Sequence, residues 1–556
     1  MDPGGQLSSV WEPDFAEERP ANPKVYRPYQ PFLVVCLLTF PILLGLSMTR
    51  GLDHDEHQHV AAGALIARAG LLPYRDFPHF HTPYLPLLYS ILFRYTDHLL
   101  LAARLVSVFT STGIAGLVGA VSYHRFRDHG RWFAVAVTSG AVLLCLTSAS
   151  FTHASGRAWN HDPALFCTLL AFFTHLRGFN RRSIGWFGAS GALLAIAIGL
   201  RITYAPLAAP FYLTLILSSK PRRWRLRSFL FFTGGFVLGL APLFSIVAVA
   251  PAKAYFSNFE FARANVAYRA ARGEQLLTLG AKLQFLLGMI ARSEFALFAA
   301  GIAPLLVSWI QNRISPRPLR REVRFILLLL PFLLIGSLAP APPHPQYFLP
   351  FAPFLILAGL FSLADLPRGS ACFRGISAAA ATCVLLSVTG RYRPYSPLAD
   401  FFAGKEWVPM QIHRQSLALR DSLNGGPVLT LAPIYPLEAG LGIYSGFSTG
   451  LFAWRVSAEV ASDQAARNGL ITSETLPALL QEVPPAGIQI DFELHEERDL
   501  NDFGKRHGYS ARQMPDGTWL WVASVSGEEI APPAVPDSRW PGSHPSLAGS
   551  NELQRP

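Results

Sequence analysis

The sequence predicts an α-helical polytopic membrane protein of about eleven transmembrane helices, followed by a small α/β domain outside the membrane. Three observations predict it. The 556 residues are 51% hydrophobic and only 15% charged, whereas soluble chains carry roughly 25% charge. The apolar residues gather in long runs before Gly390 and thin out after it. The charge divides at the same place: residues 1–390 hold 34 Lys/Arg against 17 Asp/Glu, and the remainder 13 against 19. A nucleic-acid binder would collect its bases on one solvated face. Here they sit in short loops between apolar runs, which excludes that class.

A bilayer core needs about 20 apolar residues per helix. The qualifying runs centre on Pro31–Met48, Leu99–Ser122, Trp132–Phe151, Pro163–Leu176, Ile184–Leu200, Tyr204–Leu217, Phe229–Ala250, Phe295–Ile310, Phe325–Leu338, Tyr347–Leu363 and Ile376–Val388. Leu85–Tyr95 and Leu276–Ile290 are shorter and amphipathic, and are expected at the interface. Residues 1–30 carry mixed charge ahead of the first run, which does not fit a cleaved signal peptide. Alternate loops hold Arg125/Arg127/Arg131, Arg177/Arg181/Arg182, Lys220 to Arg227, Arg313 to Arg324, and Arg368/Arg374. Short basic loops stay cytoplasmic. The N-terminus is therefore expected inside and the domain of residues 391–530 outside, in a plasma or bacterial inner membrane. In that domain Gly426–Leu431 reads as a turn and strand, Ser473–Leu480 as an N-capped helix, and Gly487–Phe492 and Thr518–Ser524 as strands. Residues 531–556, rich in Pro, Ser and Gly, are expected to be disordered. Four of the five cysteines lie in apolar runs, and no disulfide or zinc spacing can be built from them.

The opposite loops hold the chemistry. Gly51–Tyr84 reads GLDHDEHQHVAAGALIARAGLLPYRDFPHFHTPY, with acids and imidazoles directly after a membrane run. Charges beside a bilayer are costly unless a cavity or a partner uses them. GRAWNHD (Gly156–Asp162) and HPQYFLP (His344–Pro350) fall on the same expected side, as do Arg201 and Arg263. His57 and His59, with Asp55 and His81, also offer ligand chemistry for a divalent ion.

The acidic pair, the Ala-rich helix after it, the GLLPYRDF stretch and the Pro83–Tyr84 re-entry resemble the GT-C glycosyltransferases, in particular the bacterial protein-mannosyltransferase-like and aminoarabinose-transferase-like members. The likeness covers Asp53–Tyr89, with weaker echoes to about Gly359, and extends to no part of residues 391–556. It implies a GT-C-like catalytic domain over residues 31–390. That domain would move a sugar from a polyprenyl-phosphate carrier to a lipid, glycan or protein acceptor on the extracytoplasmic side. Inverting transfer needs a carboxylate to take the acceptor's proton and cations to hold the departing phosphate. The resemblance implies Asp55 as base, Glu56 as an orienting or binding group and Asp162 as a second acid. Arg157, Arg201, Arg263, His344 and Tyr347 are the phosphate-binding candidates. Relatives often carry a Lys before the Pro matched to Pro83. Here Thr82 stands there, so His79, His81 or an Arg must serve instead, or the donor differs. No cofactor is required, and a divalent metal stays open.

Plainer readings exist for several of these residues. Asp162 with Pro163 suits a helix N-cap, Arg201 suits snorkelling at a helix end, and Arg263 suits a pair with Glu260. Arg75–Asp76 suits a local ion pair, and Asp53 competes with Asp55 as base. A transporter or lipid flippase would place acids near the bilayer midplane in broken helices, and a noncatalytic GT-C-like subunit would tolerate loss of Asp55.

Overall fold

The computed structural model describes residues 29–523 except 276–277, 315–318, 368, 391–394, 424 and 493–495. Most of the expected N-terminal stretch and all of residues 531–556 lie outside the described residues, as do Arg317, Arg368, the Arg313 side chain and Ser524. The chain runs through α1 (Gln30–Thr49), α2 (His54–Ala69), α3 (Tyr84–Leu92), α4 (Leu99–Phe126), α5 (Arg131–Thr147), α6 (Ala149–Ala154), α7 (His161–Arg181), α8 (Gly185–Leu200), α9 (Ala208–Ile216) and α10 (Arg222–Val249). It continues through α11 (Pro251–Tyr255), α12 (Phe261–Ala271), α13 (Leu279–Met289), α14 (Phe295–Ile314), α15 (Arg321–Leu338), α16 (Phe351–Leu363) and α17 (Ala371–Gly390).

Each of the eleven apolar runs falls on helical segments. Gln30–Thr49, Leu99–His129, Arg222–Val249, Leu279–Gln311, Pro345–Leu363 and Ala371–Gly390 are long and apolar enough to cross a membrane. Arg131–Thr147, Gly185–Leu200 and Ile202–Ile216 are shorter apolar helices. The remaining two runs lie on α7 and α15. One expectation changes: α13 does not lie apart at an interface, but runs through a π-helical turn (Ile290–Glu294) into α14. Leu37, Leu238, Leu287 and Leu385 are 79, 73, 66 and 63% exposed. Apolar side chains presented outward on so many helices would be an aggregation liability in water and are at home in hydrocarbon. This is an integral, multi-pass membrane protein.

Inside the bundle, α8 packs on α7 and α10, α1 on α4, and α14 on α16. Small residues let the backbones meet. A Cβ at Gly191 would strike the Phe232 carbonyl on α10, and one at Gly235 would strike the Gly188 carbonyl on α8.

After α17 come α18 (Leu398–Phe402), α19 (Val408–Asp421), α20 (Ile434–Glu438), α21 (Leu451–Ser457), α22 (Ser462–Arg467), α23 (Leu476–Glu482) and α24 (Arg498–Arg506). They surround one sheet of β1 (Pro427–Leu429), β2 (Gly442–Ile443), β3 (Gly487–Ile490), β4 (Tyr509–Gln513) and β5 (Trp519–Ala523), in the order β2-β1-β3-β5-β4. β1 runs parallel to β2 and β3; β5 runs antiparallel to β3 and β4, with Ile488 opposite Trp521. The helix expected from Ser473 starts later, at Leu476 after Thr475, because Thr472 and Thr475 bond one another and hold the preceding turn.

Strand side chains alternate between faces. Leu429, Ile488 and Trp521 join a core with Phe447, Trp454 and Phe503, whereas Val428 and Leu520 belong to the same contiguous core as the bundle. The sheet is therefore not a free-standing module. It is packed onto one end of the helices, and that end carries the loops of interest.

Candidate active site

Asp53 begins α2 as its N-cap, accepting a bond from the Asp55 amide (3.0 Å), while Glu56 accepts from the Asp53 amide (3.0 Å). This reciprocal cap satisfies helix-end donors and fixes which way each acid points. Glu56 turns inward. Arg104 of α4 grips it with Nε to Oε1 at 2.8 Å and Nη2 to Oε2 at 2.7 Å, and both side chains are 0% exposed. The Ala158 amide donates to the same carboxylate at 2.8 Å. Arg104 also donates to the carbonyls of Ser47, Arg50 and Gly51. Burial on its own would raise the Glu56 pKa, but the Arg104 guanidinium outweighs it and holds the carboxyl below its usual range. Sealed in this way, Glu56 staples α1, α2, α4 and the Gly156–Asn160 turn together.

Two more of the expected site residues are bonded within the same wall. Arg157 donates to Asp53 Oδ2 at 3.0 Å and lies over the Trp159 ring, so its charge is spent within the wall. Asp162, 1% exposed, accepts from Ser155 Oγ (3.1 Å) and the Gly156 amide (3.0 Å). It shapes this turn instead of facing a cleft, and the cap position of α7 belongs to Asn160. Gly156 sits at φ +83°, and a Cβ there would come within 2.9 Å of the Ser47 Cβ. The turn thus needs both the freedom and the smallness of glycine.

Asp55 turns the other way. It is half-buried and accepts from Gln58 Nε2 at 3.1 Å, with no ion pair among the described residues. Burial, then the neighbouring Asp53, raises its pKa to about 6; His54, Arg455 and Arg201 pull against that rise. Arg201, 8% exposed at the end of α8, donates to Asn160 Oδ1 at 2.8 Å and lies 5.1 Å from the Tyr347 ring centre. Tyr347 stacks on His161 at 6.0 Å, and the His344 ring meets it edge-on at 5.6 Å. Arg201 and Tyr347, with His161, Tyr204, Ser337 and Gln346, line a small pocket at this rim. The Tyr204 hydroxyl and Gln346 Oε1 are buried there without a hydrogen-bond partner.

The histidines of the first loop gather nearby, with His59 and His81 ring centres 5.0 Å apart and His79 about 6 Å from each. His79 is 0% exposed, and burial, against a hydrogen bond with the Thr82 backbone, holds its pKa down to about 3. The atoms of Asp55, His57, His59 and His81 do not come together as a metal-ligand set; among the described residues only His98, His413 and Glu438 do. Thr82 is buried, its hydroxyl on the Ile198 carbonyl at 3.4 Å, so the position that carries Lys in relatives is packed shut here.

Arg263 is exposed on α12, and Glu260 bonds Gln464 instead (3.0 Å). The cations that do converge are Arg269 of α12 and Arg455 of α21. Burial, then Arg269 and Arg455, brings the His344 pKa down to about 4. Arg455 donates to Asn265 Oδ1 at 2.8 Å, stands over the Tyr268 and Phe452 rings, and keeps a buried, unpartnered Nε. Burial and Arg269 lower its pKa to about 10, while Asp55 is among the charges that oppose the fall. The sequence reading missed Arg455, because only docking of the sheet domain brings it here. Arg269 had a signal, one residue past Tyr268 on a polar helix. Arg75–Asp76 is a local ion pair at 2.7 Å.

Two crystal structures of ArnT from Cupriavidus metallidurans, one apo and one bound to undecaprenyl phosphate, superpose on this architecture. The TM-scores are 0.56 for the bound form and 0.55 for the apo form, over 90% of this chain and 98% of theirs, at 14% sequence identity. The chain has the fold of ArnT. The match extends beyond the bundle, because 90% of the chain cannot be covered without much of the sheet domain. No protein-family profile and no curated protein matches the sequence. In this fold the start of α2, the end of α8 and the entry to α16 lie close enough for the charges of Asp55 and Arg201 to act on one another and on Tyr347.

Proposed function

We propose that this protein is an integral-membrane glycosyltransferase that moves a sugar from a polyprenyl-phosphate carrier to an acceptor on the extracytoplasmic side. One observation carries the reading: within an ArnT-like fold, Asp55 is half-buried, makes no ion pair among the described residues, and feels the charges of Arg201 and Arg455. The donor enters from the lipid with its phosphate toward Arg201, Arg269 and Arg455. Arg suits phosphate because its donors form a planar fork. The acceptor's nucleophilic atom, oxygen or nitrogen, attacks the anomeric carbon as the bond from that carbon to the phosphate oxygen breaks. Asp55 takes the proton released by the nucleophile, and the carrier leaves as polyprenyl phosphate. A base with its pKa near 6 is ionised at neutral pH yet basic enough to accept a proton.

Glu56, Arg104, Arg157 and Asp162 act at one remove, holding the N-terminus of α2 so that Asp55 stays out of the sealed wall. With Thr82 where relatives carry Lys, the leaving phosphate depends on arginines. The test is incubation of the purified protein with a panel of polyprenyl-phosphate sugars and candidate acceptors. Release of polyprenyl phosphate coupled to a glycosylated product supports the reading. Movement of intact lipid across a vesicle membrane without cleavage of the sugar–phosphate bond would overturn it in favour of a flippase.

A further inference from the structure

Away from this rim, at the seam between α4 and the sheet domain, three side chains from distant parts of the chain meet. His98 precedes α4, His413 lies on α19 and Glu438 ends α20. Each offers one ligand atom, and the three atoms all lie within 4.8 Å of one another. The imidazole centres are 3.9 Å apart, and His413 Nδ1 lies 3.2 Å from Glu438 Oε1. We propose that His98, His413 and Glu438 form a divalent-cation site, with zinc the cation its donors suit, that clamps the sheet domain onto the bundle.

Two observations go beyond proximity. His98 Nδ1 is buried with no hydrogen-bond partner, although a buried ring nitrogen without a partner is costly. The Glu438 side chain is 0% exposed, and among the described residues no Lys or Arg side chain is in ion-pair contact with it. The Leu100 amide donates to its Oε2 at 3.2 Å, so the other oxygen is the one turned to the histidines. A buried carboxyl is costly without a partner, and a divalent ion would supply one and draw both imidazoles into its ligand set. Two imidazoles and a carboxylate make a borderline nitrogen–oxygen set typical of zinc, with a fourth position for water. His413 keeps 16% of its side chain exposed, which gives the ion a way in. The site ties residues 98 and 438, on either side of the seam, as do the Ile434 amide on His57 Nδ1 (3.5 Å) and the Ser448 hydroxyl on the Pro78 carbonyl (3.0 Å).

The experiment uses the full chain in detergent, stripped with a chelator and reloaded with zinc chloride alone. The expected result is one zinc per chain, a higher melting temperature on reloading, and visible absorption bands of a low-symmetry site when cobalt replaces zinc. His413→Ala and Glu438→Gln lose the metal and the melting shift, whereas His59→Ala, in the active-site histidine group, keeps both. If a variant does not fold, wild-type stoichiometry and the cobalt spectrum decide. Absence of stoichiometric metal in the wild type overturns the proposal. So does zinc whose removal leaves the melting temperature unchanged, or metal retained by a folded His413→Ala protein.

Discussion

Asp55 and Glu56 are adjacent acids on the first turn of one helix, yet the protein treats them oppositely. Glu56 lies in a sealed wall with a guanidinium on both its oxygens and a backbone amide on each. Asp55 lies on the open side with one amide donor, Gln58, and two arginines near enough to bias its charge but not to pair with it. In one case burial is outweighed by a partner, and the carboxyl stays acidic. In the other burial outweighs the nearby cations, and the carboxyl becomes a usable base. A shared element thus separates scaffold from chemistry by side-chain direction alone.

The largest effect expected from that contrast is on turnover. Asp55→Asn should lower sugar transfer by roughly 10²–10⁴-fold, the usual worth of a positioned base, with a melting temperature no lower than that of the parent. Glu56→Gln should do the reverse and break the fold before the chemistry. Removing one partner of a buried pair costs about 3–5 kcal/mol, read as loss of folded, monodisperse protein in detergent. Replacing both Glu56 and Arg104 with apolar residues should recover part of that loss, since no uncompensated charge remains. If Glu56→Gln instead folds normally and loses activity alone, the division between the two acids is wrong.

A smaller effect is expected at Arg455. Arg455→Ala should raise the donor KM by roughly tenfold, about 1.4 kcal/mol of phosphate binding, with a lesser change in kcat. Arg455→Lys should recover part of it. Arg263→Ala, on the exposed face of α12, should change transfer less than twofold. Equal effects at Arg263 and Arg455 would show that the sheet domain contributes no group to the site.

The bundle was legible in the sequence because hydropathy is local: each apolar run announces its own helix without reference to a partner. So was the rim, since acids, imidazoles and arginines in alternate loops must share one end of a bundle. The roles within the rim were not. Glu56 resembles Asp55 until Arg104 is seen, and Arg104 is 48 residues away on another helix. A lone Arg within an apolar run is itself a sign of a buried partner, and that sign went unread. Arg455 carried no local mark, because its position depends on how a whole domain docks. Asp162 and Arg157 had the right composition for a site, but their hydrogen bonds show them folding the turn.

The central claim is that ionised Asp55 takes the acceptor's proton, and the pH dependence of single-turnover transfer tests it most directly. Its pKa lies near 6, above the ordinary 3.8, chiefly through burial. The base is therefore ionised above that pH, and the rate should fall about tenfold per unit as pH drops below it. Stability runs the other way at this residue: burying the charge costs free energy, so its contribution declines as pH rises from about 4 to 6. The account predicts a single rise in rate centred near pH 6 that is missing from the residual activity of Asp55→Asn. A rate flat from pH 4.5 to 8 in the folded wild type, or the same rise retained in Asp55→Asn, would contradict it.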